Sequence, residues 1–275
     1  MTPDHASSRT KLNIGRIPPL STTMLDLLQQ LNSGESGAAD LENIIRKDAN
    51  TAATILKIAN SPFYGLNKKI QNVRDACVLL GFNNLRNIVY ATAMETFLDN
   101  TSLLSIKESL RQHTLATAII AVQLGRLLRL EESTSYTLGL LHELGKQITL
   151  TASPERFLQY IDKAKSDREG ALDDIASMCT VGEMVAQSWH LPDMFRSCIR
   201  YYQSPEKSSA AHRTHILLIH SSHLLANRAG HASPGEDLLT ISEDKLTETL
   251  HQLGITLELN ETFTLVQTAL SEHLH

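Results

Sequence analysis

The chain has 275 residues, of which 42% are hydrophobic and 20% are charged, and this composition excludes both a disordered chain and a membrane-embedded one. A formal net charge of −5, with 12 histidines counted as neutral, disfavours a protein whose main partner is the phosphate backbone of a nucleic acid. We therefore expect a soluble protein that is long enough to bury a sizeable core without disulfides or a structural metal.

Sequence features at the N-terminus and at the cysteines predict the compartment. The first six residues lack the positive flank and the apolar stretch of a secretory signal, and no apolar run approaches the ~18 residues of a membrane span. Cys77, Cys179 and Cys198 form no Cys-x-x-Cys pair. An odd number of unpaired cysteines is typical of reduced thiols. These features predict a cytoplasmic protein with no membrane partner.

Helical spacing of apolar residues runs through almost every segment after Ser21, and sustained strand-like alternation is lacking, so the sequence predicts an all-α fold. We expect an N-terminal helical lobe over residues 15–100, preceded by a flexible segment over residues 1–14. Turn and capping residues set its helix boundaries. They predict a first helix from Ser21 to Asn32-Ser33-Gly34, a second after Asp40, a third from about Thr51 to Ser61-Pro62, a fourth that stops at Gly81, and a fifth that begins near Leu85.

Turn residues at 99–102 predict a boundary, and a second helical lobe is expected over residues 101–275. Its predicted elements, in chain order, are a long helix over residues 110–128, a helix capped near Ser133 that runs through Leu144, a restart at Ser153-Pro154, a helix after Leu191-Pro192, an apolar segment with four histidines over residues 212–228, a polar loop over residues 230–237, and two amphipathic helices that carry Leu246 and Leu265.

A helical metal site needs imidazole and carboxylate ligands from several helices, and this chain offers such a set. His113 lies within the long helix, His142 and Glu143 are adjacent near the end of the next one, and His220 and His223 are three apart on one face. Adjacent residues on a helix point about 100° apart. We therefore expect His142 and Glu143 to reach one ion only from the edge of a cavity.

Other chemistries have less support, and a purely structural role for the histidines stays open. A histidine on an apolar helix is more often a hydrogen-bonded core residue than a metal ligand. A zinc-protease motif fails because the position four residues after His142 is Lys146. The sequence has no glycine-rich loop of the kind that holds a phosphate. Cys77 falls on an apolar stripe, and Cys179 and Cys198 have no evident histidine partner, so a cysteine nucleophile is unsupported.

Several motifs, in order along the chain, resemble the HDOD domain, a bacterial signalling domain related to the HD phosphohydrolases. The resemblance covers about residues 15–230. It lies in Ile17-Pro18-Pro19-Leu20, Ala59-Asn60-Ser61-Pro62-Phe63-Tyr64-Gly65, Leu79-Leu80-Gly81 with Leu85-Arg86-Asn87, Gln112-His113-Thr114-Leu115-Ala116, Gly139-Leu140-Leu141-His142-Glu143-Leu144-Gly145-Lys146, and Val181-Gly182 with Trp189-His190-Leu191-Pro192. It implies a helical output module, an N-terminal lobe packed on an HD-like lobe, with two helices after it. Such modules are often attached to receiver or cyclic-dinucleotide domains. Because this chain has no room for one, we expect it to meet other signalling proteins in trans.

The resemblance also implies ligand positions. In the HD superfamily a first histidine, a His-Asp pair and a late aspartate hold the metal, and these positions correspond here to His113, His142 with Glu143, and His223. Histidines that some relatives use for a second metal correspond to Met178 and to Tyr201-Tyr202. The resemblance therefore implies at most a single divalent metal, Zn, Fe, Mn or Ni, and no assigned catalytic residue.

Three functional hypotheses follow. The first is a stand-alone HDOD regulatory module that is catalytically degenerate and acts through protein or small-ligand binding. The alternative is a metal-dependent phosphohydrolase, acting on a phosphoester or nucleotide, with an unusual His/His/Glu/His site. The third is recognition of a nucleotide or cyclic dinucleotide without turnover, based on Lys146, Arg86 and the cavity that the resemblance to HD phosphohydrolases implies. His220 is a further candidate residue of that cavity.

Overall fold

The computed structural model describes residues 20–33, 37–61, 64, 70–98, 103–236 and 242–274, and its regular secondary structure over those ranges is entirely helical. The all-α prediction is confirmed. The α-helices in the described ranges are α1 Thr22–Ser33, α2 Ala38–Ile45, α3 Ala49–Ala59, α4 Val73–Leu98, α5 Leu104–Leu127, α6 Glu132–Leu141, α7 Leu144–Ala152, α8 Pro154–Ala164, α9 Arg168–Ser188, α10 Asp193–Tyr201, α11 Arg213–Arg228, α12 Glu243–Leu253 and α13 Leu259–His273.

Helices α1 to α4 follow the predicted order of the N-terminal helices. The predicted interruption at Gly81 is confirmed, because α4 breaks there with φ +76° and ψ 168°, a backbone conformation that glycine adopts readily. The predicted flexible segment at residues 1–14 and the predicted boundary at residues 99–102 lie outside the described residues.

Helix α5 is the central element of the second half of the chain. It packs against α6, α11 and α13, and its C-terminal half is almost entirely buried. It begins at Leu104, six residues earlier than predicted, because the residues before Leu110 are mostly polar or exposed and give no apolar stripe. One apolar core is continuous from Leu20 to Leu270. None of the described helices is both long and apolar enough to span a bilayer.

Two predictions for this half of the chain are wrong: one helix end and one missing helix. The helix expected from Ser133 through Leu144 ends at Leu141, and α7 begins at Leu144, so His142 and Glu143 form the junction between two helices. Helix α9, which has 21 residues and packs on α7 and α10, was not predicted as a separate element. Its buried residues Ala171, Ile175, Met178, Cys179 and Val185 recur at helical spacing, so the signal was present in the sequence and was missed.

Two glycines fix the junction between α6 and α7. A Cβ on Gly139 would lie 2.4 Å from the Ala118 Cα of α5, and a Cβ on Gly145 would lie 1.8 Å from the Met178 carbonyl oxygen of α9. Both contacts are with backbone, so the helices approach as closely as they do only because these positions lack a side chain. The sequence around His142 is thereby held against α5 on one side and α9 on the other.

Candidate metal centre

The structure brings four of the predicted residues together. His113 comes from α5, His142 and Glu143 from the junction between α6 and α7, and His223 from α11. One ligand atom from each lies within 4.8 Å of all the others. Each residue is at most 1% exposed. The cluster therefore joins three separate parts of the helical core at one buried point.

The three imidazoles face one another at distances typical of metal ligands. The His113 Nε2 atom lies 2.9 Å from His223 Nδ1 and 3.3 Å from His142 Nε2, and the latter two atoms are 3.2 Å apart. Zinc–nitrogen bonds of ~2.0–2.1 Å place tetrahedral ligand atoms roughly 3.3–3.4 Å apart. The three inward nitrogens are therefore spaced almost as a bound ion requires.

In each histidine one ring nitrogen points away from the other two imidazoles, and we call it the outer nitrogen. The hydrogen-bond partner of this nitrogen determines which tautomer is present. His113 Nδ1 lies 2.7 Å from the His231 carbonyl oxygen, His142 Nδ1 lies 2.6 Å from the Gly139 carbonyl oxygen, and His223 Nε2 lies 2.7 Å from Glu236 Oε2. These oxygens can only accept, so each outer nitrogen donates its proton and each inner nitrogen presents a lone pair. Three lone pairs converge on one point, an arrangement that a cation stabilises.

Burial keeps the imidazoles of His113 and His142 neutral, which is the form that binds metal. It lowers the pKa of His113 to about 4, and it lowers the pKa of His142 well below the ordinary value. The nearby Glu143 carboxylate opposes both shifts but does not overcome them. Neither ring carries a proton on its inner nitrogen at neutral pH.

Glu143 faces the histidines because the helix breaks at this residue. Its backbone, with φ of −96° and ψ of 25°, departs from helical geometry. Its Oε2 atom lies 3.8 Å from His113 Nε2. The Ser233 hydroxyl donates to its carboxylate at 2.8 and 2.9 Å. Burial would raise the pKa of Glu143, but the charge of Lys146 lowers that pKa to about 2.

Lys146, one of the residues on which the nucleotide hypothesis was based, lies in the interior beside the cluster. Its side chain is buried, and its ammonium lies 2.8 Å from Glu143 Oε1, 2.5 Å from Glu236 Oε1 and 2.6 Å from Ser233 Oγ. Burial would lower the pKa of Lys146, but the two carboxylates raise it well above the ordinary value. Glu143, Glu236 and Ser233 therefore engage all three protons of the ammonium.

Comparison with known proteins identifies the family. A family model for the HDOD domain matches residues 17–205. The chain belongs to the HDOD domain family. It is 25% identical over 198 residues to an uncharacterised protein of Treponema pallidum (strain Nichols), a match that covers 70% of this chain. The chain spans only 38% of that relative's length.

Two solved structures share the HDOD fold of this chain. A proposed phosphohydrolase of Shewanella amazonensis SB2B aligns with a TM-score of 0.69 and 20% identity, over 94% of this chain and 92% of that one. An HDOD domain protein of unknown function from Geobacter sulfurreducens aligns with a TM-score of 0.69 and 19% identity, over 94% and 90% of the two chains. At these identities the likeness shows a common fold and leaves the activity open.

The remaining predicted residues of the HDOD site lie outside the cluster. The ring of His220 bonds through Nδ1 to the Tyr202 carbonyl oxygen at 2.7 Å, and burial lowers its pKa to about 4. Arg86 donates to Asn83 on α4. Met178 and Tyr202, at the second-metal positions, are buried, and the Tyr202 ring packs edge-on to His142 with centroids 4.8 Å apart. These positions supply no further imidazole.

Sequence reasoning missed Glu236 and Ser233, which lie in the predicted polar loop. Both side chains are buried, and Glu236 contacts Lys146, His223 and Gln203 at once. Burial would raise the pKa of Glu236, but Lys146 lowers that pKa well below the ordinary value. A loop has no periodicity from which burial can be read. The one available signal was an acidic residue directly after a Ser-Pro-Gly turn.

Proposed function

We propose that this HDOD domain is a catalytically inactive regulatory module. In this proposal His113, His142, Glu143 and His223 hold one divalent metal ion that stabilises the core, and the surface binds signalling proteins in trans. The observation that carries the proposal is closure of the site, since the four side chains are no more than 1% exposed. Catalytic zinc sites keep a coordination position open to water or substrate, whereas structural sites are closed.

The ligand chemistry supports a single structural ion. Three imidazole nitrogens and one carboxylate oxygen form a complete tetrahedral set for zinc, and the same donors suit iron. An ion bound there would supply charge that the three converging lone pairs require, and it would link α5, α11 and the junction between α6 and α7. The hydrogen bonds to His231, Gly139 and Glu236 already orient the rings for that purpose.

The carboxylates that hydrolysis would need are already engaged. Of the two positions at which the family pattern has aspartate, one holds the imidazole of His223, and the other holds Glu143, which pairs with Lys146 and accepts from Ser233. Glu143 Oε1 pairs with the Lys146 ammonium at 2.8 Å, and Oε2 faces the imidazoles where it would bind the proposed ion, so in this proposal neither oxygen is left to orient an attacking water. A groove on the α5–α6 face is lined by Leu115, Tyr136 and Gln147 and by none of the four cluster residues.

An apolar patch at the break in α4 supports binding of a partner. Val78, Leu79 and Phe82 are 73%, 54% and 45% exposed, which is unusual for three large apolar side chains so close in sequence. Exposed apolar patches commonly mark protein-binding surfaces. The positively charged residues Arg74 and Arg86 flank the patch along the helix. We propose that it contacts a signalling protein with an acidic, apolar surface.

A hydrolysis assay tests the inactive state. Protein purified without chelator is supplied with Mn²⁺, Fe²⁺, Ni²⁺ or Zn²⁺ and assayed against bis(p-nitrophenyl) phosphate, p-nitrophenyl phosphate and a panel of nucleotides. We expect the wild type to release no more product than the His142→Ala variant with any metal. Metal-dependent turnover that the wild type shows and His142→Ala lacks would establish the phosphohydrolase alternative and contradict the proposal.

A further inference from the structure

The Lys146 ammonium lies where two carboxylates meet. Glu143 Oε1 is 2.8 Å and Glu236 Oε1 is 2.5 Å from its Nζ atom, and the Ser233 hydroxyl oxygen is 2.6 Å away. An ammonium has three protons to donate, so these acceptors satisfy it completely. The side chain is 1% exposed, so the charge is balanced by protein groups.

Glu143 lies between the ammonium and the point where the imidazoles converge, whereas Glu236 links the ammonium to the outer nitrogen of His223. Glu143 presents Oε1 to Lys146 and Oε2 towards His113 Nε2, at 3.8 Å. Glu236 presents Oε1 to Lys146 and Oε2 to His223 Nε2, at 2.7 Å. Glu143 is thus placed between two cation positions, as in sites that hold two metal ions roughly 3.5–4 Å apart. Here the second of the two positions holds an ammonium.

Charge balance favours one added ion. Glu143 and Glu236 contribute two negative charges and Lys146 returns one positive charge, so the buried group as a whole is an anion. One divalent ion would leave a single excess positive charge, whereas a second one beside the ammonium would leave three. Burying uncompensated charge is costly, so the group has room for one ion while Lys146 is present.

We infer that the Lys146 ammonium occupies the second cation position of this site, and that removing it opens a position for a divalent ion between Glu143 and Glu236. This inference rests on the proposed function, which places the first ion among the histidines. It goes further by assigning a role to Lys146 and Glu236.

Metal stoichiometry tests the inference. The wild type, Lys146→Ser and the control Lys165→Ser, whose lysine is 60% exposed, are loaded with Mn²⁺, desalted and measured by elemental analysis. We expect Lys146→Ser to hold one more ion per chain than either of the others. Equal counts in folded Lys146→Ser and wild type would overturn the inference. No ion in the wild type with one in Lys146→Ser would uphold it while contradicting the proposed single-metal site.

A second measurement requires no variant to fold. Mn²⁺ bound to the wild type should give the six-line electron paramagnetic resonance signal of an isolated ion, even with the metal in excess. The spectrum of an exchange-coupled manganese pair would show that two ions fit beside Lys146 and would overturn the inference.

Discussion

Glu236→Ala is expected to lower the free energy of unfolding by about 3–5 kcal/mol, because breaking a buried ion pair leaves a buried charge uncompensated. The variant would leave the Lys146 ammonium with a single carboxylate, and it would remove the acceptor of the His223 ring proton, at 2.7 Å. Urea denaturation of metal-free protein at neutral pH measures the loss. Because the protein is metal-free, the measured loss of stability contains no contribution from metal binding.

Glu248→Ala is the matched control. Glu248 is more than half exposed and pairs with Lys245 at 3.6 Å, so its removal should cost no more than ~0.5 kcal/mol. If Glu236→Ala lost as little as this control, the Lys146 charge would have to be reached by water, and the closed site proposed here would be wrong.

Gly145→Ala is expected to be at least as damaging, with a loss of more than ~3 kcal/mol from overpacking. The added Cβ would lie 1.8 Å from the Met178 carbonyl oxygen and 2.5 Å from its carbon. These atoms are backbone of α9, so no side chain can rotate away and α7 would have to shift. Because α7 begins directly after Glu143, the shift would also disturb the cluster.

Gly37→Ala is the control that shows whether the loss of stability in Gly145→Ala comes from the contact with the α9 backbone. At Gly37 an added Cβ would meet Asp40 Oδ2 at 3.5 Å, an ordinary contact, and its φ of −85° suits any residue. We expect a loss of about 1 kcal/mol or less in thermal or urea denaturation. Equal stability of the two variants would show that α7 and α9 are not held together at Gly145.

Much of the fold could be predicted from the spacing of apolar residues. The stripes on α1, α12 and α13 and the stop at Gly81 appear in the sequence because one face of each helix is buried and the other is solvated. The break at residues 142 and 143 was missed because Leu141 and Leu144 both belong to the apolar pattern. Only the backbone angles of Glu143 reveal it.

The candidate site could be predicted in part. The residue types and their placement on helices offered His220 and the four ligands as candidates, and resemblance to the HDOD domain selected the four, since spacing along one chain does not reveal which helices meet. Lys146 and Glu236 are 90 residues apart, and no local pattern connects them. A lysine on a helix is ordinarily solvated, so its burial follows from a carboxylate that only the tertiary fold brings near. The tertiary fold likewise buries Ser233 and Glu236 of the predicted polar loop beside the site.

Elemental analysis of metal in protein purified without a tag or chelator, compared between the wild type and His142→Ala, tests the central claim most directly. We expect close to one divalent ion per chain in the wild type and a near-complete loss in the variant, since three remaining ligands hold an ion far less tightly. A wild type without metal, or a His142→Ala variant that retains its ion, would contradict the assignment of this buried cluster as a metal centre.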